Sequence, residues 1–262
     1  MKLTLYQIDA FAEKVFEGNP AAVCILDKWL ETSIMQRIAE ENNLAETAFV
    51  VQQNSRFEIR WFTPETEVAL CGHATLAAAY VLFTYHGYPE NTIRFYSSKS
   101  GELFVTQEDD GRITLNFPTD ENIMIRSHDT IEKALGWSPV KTIKGKTDYL
   151  LIYNSQAEIE ALEPNFHLLD QCDCRGVIAS APGDGVDFVS RFFAPKCGIP
   201  EDPVTGSAHT TMAPYWSKVL GKTKMTARQL SKRGGQLWIE YLGERVKITG
   251  KAVPYLKGEI EI

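Results

Sequence analysis

Two stretches of this chain follow the same plan half a chain apart, and that repeat constrains the fold more than any other feature. Arg60-Trp61-Phe62-Thr63-Pro64 leads, seven residues past its proline, into Cys71-Gly72-His73-Ala74-Thr75. Arg191-Phe192-Phe193-Ala194-Pro195 leads over the same seven residues to Asp202, which opens Asp202-Pro203-Val204-Thr205-Gly206-Ser207-Ala208-His209. The two arginines lie 131 positions apart in a chain of 262. A second echo, Ser98-Lys99-Ser100-Gly101 with Ser231-Lys232-Arg233-Gly234, follows in the same order at a spacing of 133. Ordered echoes at half the chain length indicate an internal duplication. Duplicated halves commonly face each other across a cleft, and clefts between domains favour ligands.

Each repeat ends in a loop-to-helix junction. Ala74 to Phe83 is apolar except at Thr75. A helix apolar all round is buried all round, which calls for a sheet wrapped about it. At the second junction Gly206 lets the backbone approach a ligand and Ser207 is a good N-cap type. The first amides of both helices lack intrahelical partners, so an anion is expected against Gly72-His73 and Gly206-Ser207. The predicted boundary is Phe117-Pro118-Thr119-Asp120, giving halves 1–117 and 118–250. The tail 251–262 exceeds the repeated unit, and the sequence leaves open whether it returns to pair with the first half.

Pattern predicts strands at 3–10, around 23–26, from 44 to 51 and at 57–61. Ser33 and Gln36 read as a capping box for a helix over 33–42. A helix over 72–86 follows, with Gly87 as its cap, then a hairpin of 102–107 and 112–117 through Asp109-Asp110-Gly111. The second half reads as a helix at 129–135, strands at 148–153, 176–181 and 186–194, and a helix from Gly206 that Pro214 should kink or end. A hairpin of 236–241 and 245–249 closes it.

Net charge is −7, which disfavours nucleic acid as a partner. No run of about 18 apolar residues is present to cross a membrane, and no signal peptide opens the chain, so a cytoplasmic protein is expected. The five cysteines are odd in number and irregular in spacing, which argues against a disulfide framework. Cys172-Asp173-Cys174 lacks zinc-knuckle spacing, and His86, His128 and His167 are scattered; no metal is expected.

Glu46 sits among small and apolar neighbours. Burial there would raise its pKa toward neutrality and suit it to proton transfer; the plainer reading is a carboxylate at the strand mouth, open to water. Asn19, before Pro20, is either a ligand contact or a turn residue. Cys71 at a helix N-terminus either has a lowered pKa or is a small packed residue. Thr205-Gly206-Ser207-Ala208-His209 is not the Gly-x-Ser-x-Gly of a serine hydrolase, and on a helix His209 points away from Ser207. A cysteine hydrolase built on Cys71 and His73 fails similarly. A non-catalytic binder of small anions is the competing class, and Glu46 discriminates against it, because a carboxylate in the site would repel the ligand.

The stretches Gly18-Asn19-Pro20-Ala21-Ala22-Val23, Ala45-Glu46-Thr47-Ala48-Phe49, Cys71-Gly72-His73-Ala74-Thr75, Ile199-Pro200-Glu201-Asp202-Pro203-Val204-Thr205-Gly206-Ser207-Ala208-His209 and Lys232-Arg233-Gly234-Gly235 together resemble the PhzF-like family of phenazine-biosynthesis-type isomerases. The resemblance implies an α+β, diaminopimelate-epimerase-like fold. Its two pseudo-symmetric halves are each a curved, barrel-like sheet around a central helix, with the site between them. It implies Glu46 as the acid/base, with His73, Asp202 and Ser207 binding and orienting the substrate or assisting the transfer. Asn19, Gly72, Ala74, Gly206 and Ala208 would contact a small anionic, carboxylate-bearing metabolite. It further implies no metal or organic cofactor, and a homodimer. One departure matters: related epimerases carry a cysteine in each half, but here Cys71 fills the first place and Asp202 the second. A single-base proton shift is therefore expected rather than a two-thiol racemase, with an epimerase using Cys71 as the alternative.

Overall fold

The computed structural model describes residues 1–126 and 128–262. The chain forms two units, Met1–Asn116 with Thr249–Ile262, and Phe117–Ile248. The first unit opens with β1 (Lys2–Ala10), β2 (Asn19–Leu26), α1 (Thr32–Asn42), β3 (Glu46–Gln53), β4 (Arg56–Phe62) and β5 (Glu67–Val68). It continues with α2 (Gly72–Tyr85), β6 (Thr92–Ser97), β7 (Gly101–Gln107) and β8 (Ile113–Pro118). The second contains β9 (Ile123–Ile125), α3 (Asp129–Leu135), β10 (Lys141–Lys144), β11 (Asp148–Ile152), α4 (Gln156–Glu160) and α5 (Phe166–Asp170). Then come β12 (Gly176–Pro182), β13 (Phe188–Phe193), α6 (Ala208–Leu220), β14 (Lys224–Gln229), β15 (Gly235–Tyr241) and β16 (Arg245–Gly250), before β17 (Ala252–Glu261).

Strand pairing shows the duplication within each unit. In the first, β2 and β3 are parallel, β3 and β4 antiparallel, β4 and β6 parallel, β6 and β7 antiparallel. In the second, β11 and β12 are parallel, β12 and β13 antiparallel, β13 and β14 parallel, β14 and β15 antiparallel. Parallel neighbours need a crossover, and helices supply it: α1 and α2 in one unit, α4 with α5 and then α6 in the other. The repeated arginines are used alike. Arg60 forks onto Glu67 and Arg191 onto Glu201. Each guanidinium also lies over the phenylalanine two residues on, Phe62 at 5.1 Å and Phe193 at 5.0 Å.

The side-chain alternation of β2 and β3 places one set of residues on each face. Ala22, Cys24, Leu26, Phe49 and Val51 meet Met35, Ile38 and Ala39 of α1. On the other side α2 packs against β1, β2, β3 and β7. Its alanines, Ala74, Ala77, Ala78 and Ala79, are fully buried and let the helix approach the sheet closely, while Leu76, Val81 and Leu82 fill the space between. Each such large apolar side chain contributes about 1.5–3 kcal/mol on burial. In the second unit α6 packs on β11 and β15. Ile131, Leu135, Ile159 and Leu169 of α3–α5 cover Leu151, Val177, Ala179 and Phe193. Among the described residues no helix is long and apolar enough to cross a membrane.

Two local expectations are corrected, and one left open is settled. The capping box at Ser33 is absent: Glu31 takes the N-cap place with no side-chain cap, because α1 starts one residue earlier and leaves Ser33 inside it. Gln36 instead donates to the carbonyls of Thr63 and Pro64 at 2.9 and 3.0 Å. Pro214 does not end α6, which runs on to Leu220. Proline removes the amide that would bond the carbonyl four residues back, here Thr210, and that carbonyl accepts from the Asp120 amide at 3.3 Å instead. The tail forms β17 and pairs antiparallel with β1 from Lys2↔Glu261 to Ala10↔Ala252. Strands β6, β10 and β14 and helices α4 and α5 carry no pattern strong enough to be read in advance.

Gly18 holds the turn into β2 at φ +67°, and a Cβ there would stand 2.2 Å from the Ala10 carbonyl oxygen. Gly111, at φ +81°, has open space around its Cα. Left-handed backbone alone costs a residue with a Cβ about 1–2 kcal/mol. Gly111→Ala is expected to lose that much and Gly18→Ala distinctly more. Urea midpoints of the two variants make the comparison, and equal losses would refute the steric account.

Candidate active site

The head of α2 gathers three chemically active side chains in the first unit. Cys71 occupies the N-cap position and His73 lies in the first turn. Glu46 is the first residue of β3, opposite Ala21 of the parallel β2. His73 Nε2 lies 3.1 Å from Glu46 Oε2, and the side chains are only 7% and 12% exposed. On the other edge of the ring, Nδ1 lies 3.5 Å from Cys71 Sγ. The imidazole thus bridges a thiol and a carboxylate. Asn19, at the head of β2, is fully buried and paired in register with Ala10.

The electrostatics decide between the readings left open for Glu46 and Cys71. Burial pushes the Glu46 carboxyl up, but the adjacent His73 charge and hydrogen bonds from His73 and Cys71 outweigh it and hold the group below the ordinary carboxylate value. Burial pulls His73 down, yet Cys71 and Glu46 together raise it well above the ordinary imidazole value. Glu46 is therefore neither water-exposed at the strand mouth nor neutral by burial: its carboxylate is held toward the ionised form and the His73 imidazole toward the protonated one. For Cys71, burial and the Glu46 charge push the thiol up to about 11, against the bonds from His73 and the Ala74 amide. Of the two readings of Cys71, the small packed residue holds and the lowered thiol pKa does not, because desolvation outweighs the helix N-terminus. The Ala74 amide, one of the predicted substrate contacts, is engaged by Cys71 Sγ.

The second unit holds Asp202 and Ser207 in a braced loop. Asp202 is buried, and its Oδ2 accepts a short hydrogen bond from Thr205 Oγ1. Gln229 at the end of β14 donates to the Asp202 carbonyl at 2.8 Å and accepts from the Thr205 amide at 2.9 Å. Ser207 sits at the N-cap of α6 with helical φ and no side-chain cap, so it does not fill the predicted capping role. Its Oγ accepts instead from Nη1 and Nη2 of Arg175, each at 3.1 Å. Arg175 also forks onto buried Asp148, with Nε 2.8 Å from Oδ1. Ser207, Arg175, Asp148 and Thr210 border a cavity of about 530 Å³. The Gly206 carbonyl accepts from the His209 amide at 3.0 Å, and Ala208 is buried. His209 points into the core, as the helical spacing predicts, with Nδ1 2.9 Å from the Thr205 carbonyl.

Arg175 and Gln229 were invisible to motif reading, because one lies in a loop and the other at a strand end, each far in sequence from the group it holds. Gln229→Leu should leave the Asp202 carbonyl and the Thr205 amide buried without that partner, at about 1–3 kcal/mol each. Denaturant unfolding measures the loss. A variant as stable as the parent would show that the loop holds itself.

A curved sheet with a buried crossover helix packed on it in each unit is the α+β, diaminopimelate-epimerase-like fold. The PhzC-PhzF family model, described as phenazine biosynthesis-like protein, matches residues 8–258. The chain therefore belongs to the PhzC-PhzF family. It is 49% identical to an uncharacterized isomerase of Pseudomonas aeruginosa, with both chains covered in full. The crystal structure of a phenazine biosynthesis protein of the PhzF family from Enterococcus faecalis superposes at a TM-score of 0.97, with 46% identity and 100% of each chain covered. A hydroxyproline epimerase from Agrobacterium vitis shares the fold alone, at a TM-score of 0.63 and 10% identity over 99% of this chain and 92% of that one. By this kinship the chain is an isomerase, its reaction unspecified.

Proposed function

We propose that the protein shifts a proton on a small, carboxylate-bearing metabolite by acid/base catalysis without a cofactor. The observation that carries the reading is the buried Glu46–His73 pair at 3.1 Å, in which the carboxylate is held ionised. Glu46 takes the proton from a carbon made acidic by a conjugated neighbour. The freed electron pair moves along the conjugated system, and the proton returns at a second carbon, so substrate and product are isomers. His73, carrying its own proton, steadies the carboxylate while it is charged. Following the family resemblance, Asp202 and Ser207 bind and orient the substrate, with Asn19, Gly72, Ala74, Gly206 and Ala208 contacting it. The donors of Arg175 and Ser207 suit the substrate's carboxylate. A homodimer and a cytoplasmic setting belong to the same reading.

The test is solvent deuterium entering a bound ligand in heavy water, using unsaturated and aromatic carboxylic acids as candidates. Uptake by the parent protein supports proton transfer at carbon; binding without uptake by any of them would favour a passive anion binder. The contact of Cys71 with His73 Nδ1 favours a second reading, an epimerase with a thiol base. The raised thiol pKa weighs against it, because little thiolate exists near neutrality.

A further inference from the structure

The one-base reading leaves Cys71 without a task, although its sulfur touches the imidazole of the reacting pair. Glu46, Cys71 and His73 can each offer one donor atom, and the three atoms lie within 4.8 Å of one another. Thiolate, imidazole and carboxylate together form the mixed sulfur, nitrogen and oxygen set that suits zinc and not the hard ions magnesium or calcium. Zinc bonds of about 2.0–2.3 Å in a tetrahedron put neighbouring donors roughly 3.3–3.8 Å apart. Cys71 Sγ and His73 Nδ1, at 3.5 Å, already stand at such an edge. The Glu46 carboxylate, now 3.1 Å from Nε2, must turn toward the Cys71 side of the ring to complete a face of three. The cysteine and histidine are fixed two residues apart at the head of α2, and the glutamate is fixed at the start of β3, so the donor set is anchored by two elements.

We propose that Glu46, Cys71 and His73 form a zinc site that binds one Zn²⁺ per chain with a fourth position left open. Binding replaces the S–H bond by an S–Zn bond and frees the coordinating imidazole nitrogen of any proton, and the displaced protons pass to solvent. The metal is a reversible blocker, because it occupies both members of the pair assigned to proton transfer. That consequence rests on the proposed function; the binding does not, and it is measured without any substrate.

The experiment titrates the chelator-treated full chain with Zn²⁺ against a chromophoric chelator, and separately with Co²⁺. One ion per chain is expected, with proton release and a thiolate-to-cobalt charge-transfer absorption. Disturbing groups that merely support metal ligands costs 10–100-fold in affinity, so Cys71→Ala and His73→Asn should each weaken Zn²⁺ binding by on the order of 100-fold or more. Replacing Cys172, Cys174 and Cys197 together by serine should change nothing. Zinc held at parental affinity by Cys71→Ala, or lost in the triple serine variant, would overturn the site. Should the single variants not fold, X-ray absorption of the zinc-loaded parent decides the matter. A sulfur neighbour near 2.3 Å supports the site, and a shell of nitrogen and oxygen alone rejects it. Tight zinc binding with undiminished deuterium uptake would keep the site and reject the proton-transfer assignment.

Discussion

Glu46→Gln is expected to bind the same ligand as the parent protein and to lose proton exchange by about 10²- to 10⁴-fold, the usual contribution of a positioned acid or base. Glutamine matches glutamate in shape. Its amide oxygen can still accept from His73 Nε2, so the partner at 3.1 Å keeps its place. What the variant lacks is a group that can take a proton from carbon and return it. Cys71→Ala is expected to be much milder: the thiol, pushed up to about 11, is protonated under ordinary conditions and touches the far nitrogen of the ring. Deuterium uptake by both variants, set beside a binding measurement, separates the cases. Parental uptake in Glu46→Gln with none in Cys71→Ala would reverse the assignment and restore a thiol-based epimerase.

Acid should weaken the fold by about 3 kcal/mol through one buried residue, His209. Burial pulls its pKa down to about 4, although the Thr205 carbonyl at 2.9 Å works in the opposite direction. The ring is fully buried beside Phe188, 6.0 Å away, so a proton on it would place a charge in the core. The folded pKa thus lies below the unfolded value of about 6.5. Above pH 6.5 both states are neutral at this residue and its stability contribution is complete. As pH falls from about 6.5 to 4 the unfolded chain takes up a proton that the folded one refuses, and stability drops by about 1.4 kcal/mol for each unit. Below about 4 the loss levels off. Denaturant midpoints across this range, for the parent and for His209→Gln, isolate the residue from the carboxylates, which titrate in both. Parallel curves would show that His209 is not the group that titrates.

The repeat was the most legible part of the chain. Arg60 and Arg191 mark the same forked pairing with Glu67 and Glu201, and the apolar run Ala74 to Phe83 marks a helix buried against a sheet. Both signals are dense and periodic, and each is determined over a few consecutive residues. The elements that escaped, such as β6, β10, α4 and α5, are short and half-buried, so neither the strand nor the helix period is sustained in them. Pro214 does not end its helix for another reason: the cost of a proline in a helix depends on who else bonds the freed carbonyl, and that partner, Asp120, is 90 residues from Thr210.

Glu46, His73, Asp202 and Ser207 could be named as candidates from the chain alone because they stand in motifs. Their charge states could not be read there. Burial alone would have made Glu46 neutral, and a helix N-terminus alone would have made Cys71 acidic; which effect wins depends on distances between groups 25 and 27 residues apart. The sequence by itself determined a duplicated α+β chain with a buried helix in each half and a carboxylate, Glu46, among small and apolar neighbours at the start of a strand. Only the tertiary structure decided that this carboxylate is ionised, that Arg175 holds Ser207, that Gln229 braces Asp202, and that a thiol completes a three-donor cluster, because each of these depends on through-space contacts between side chains that the order of residues does not encode.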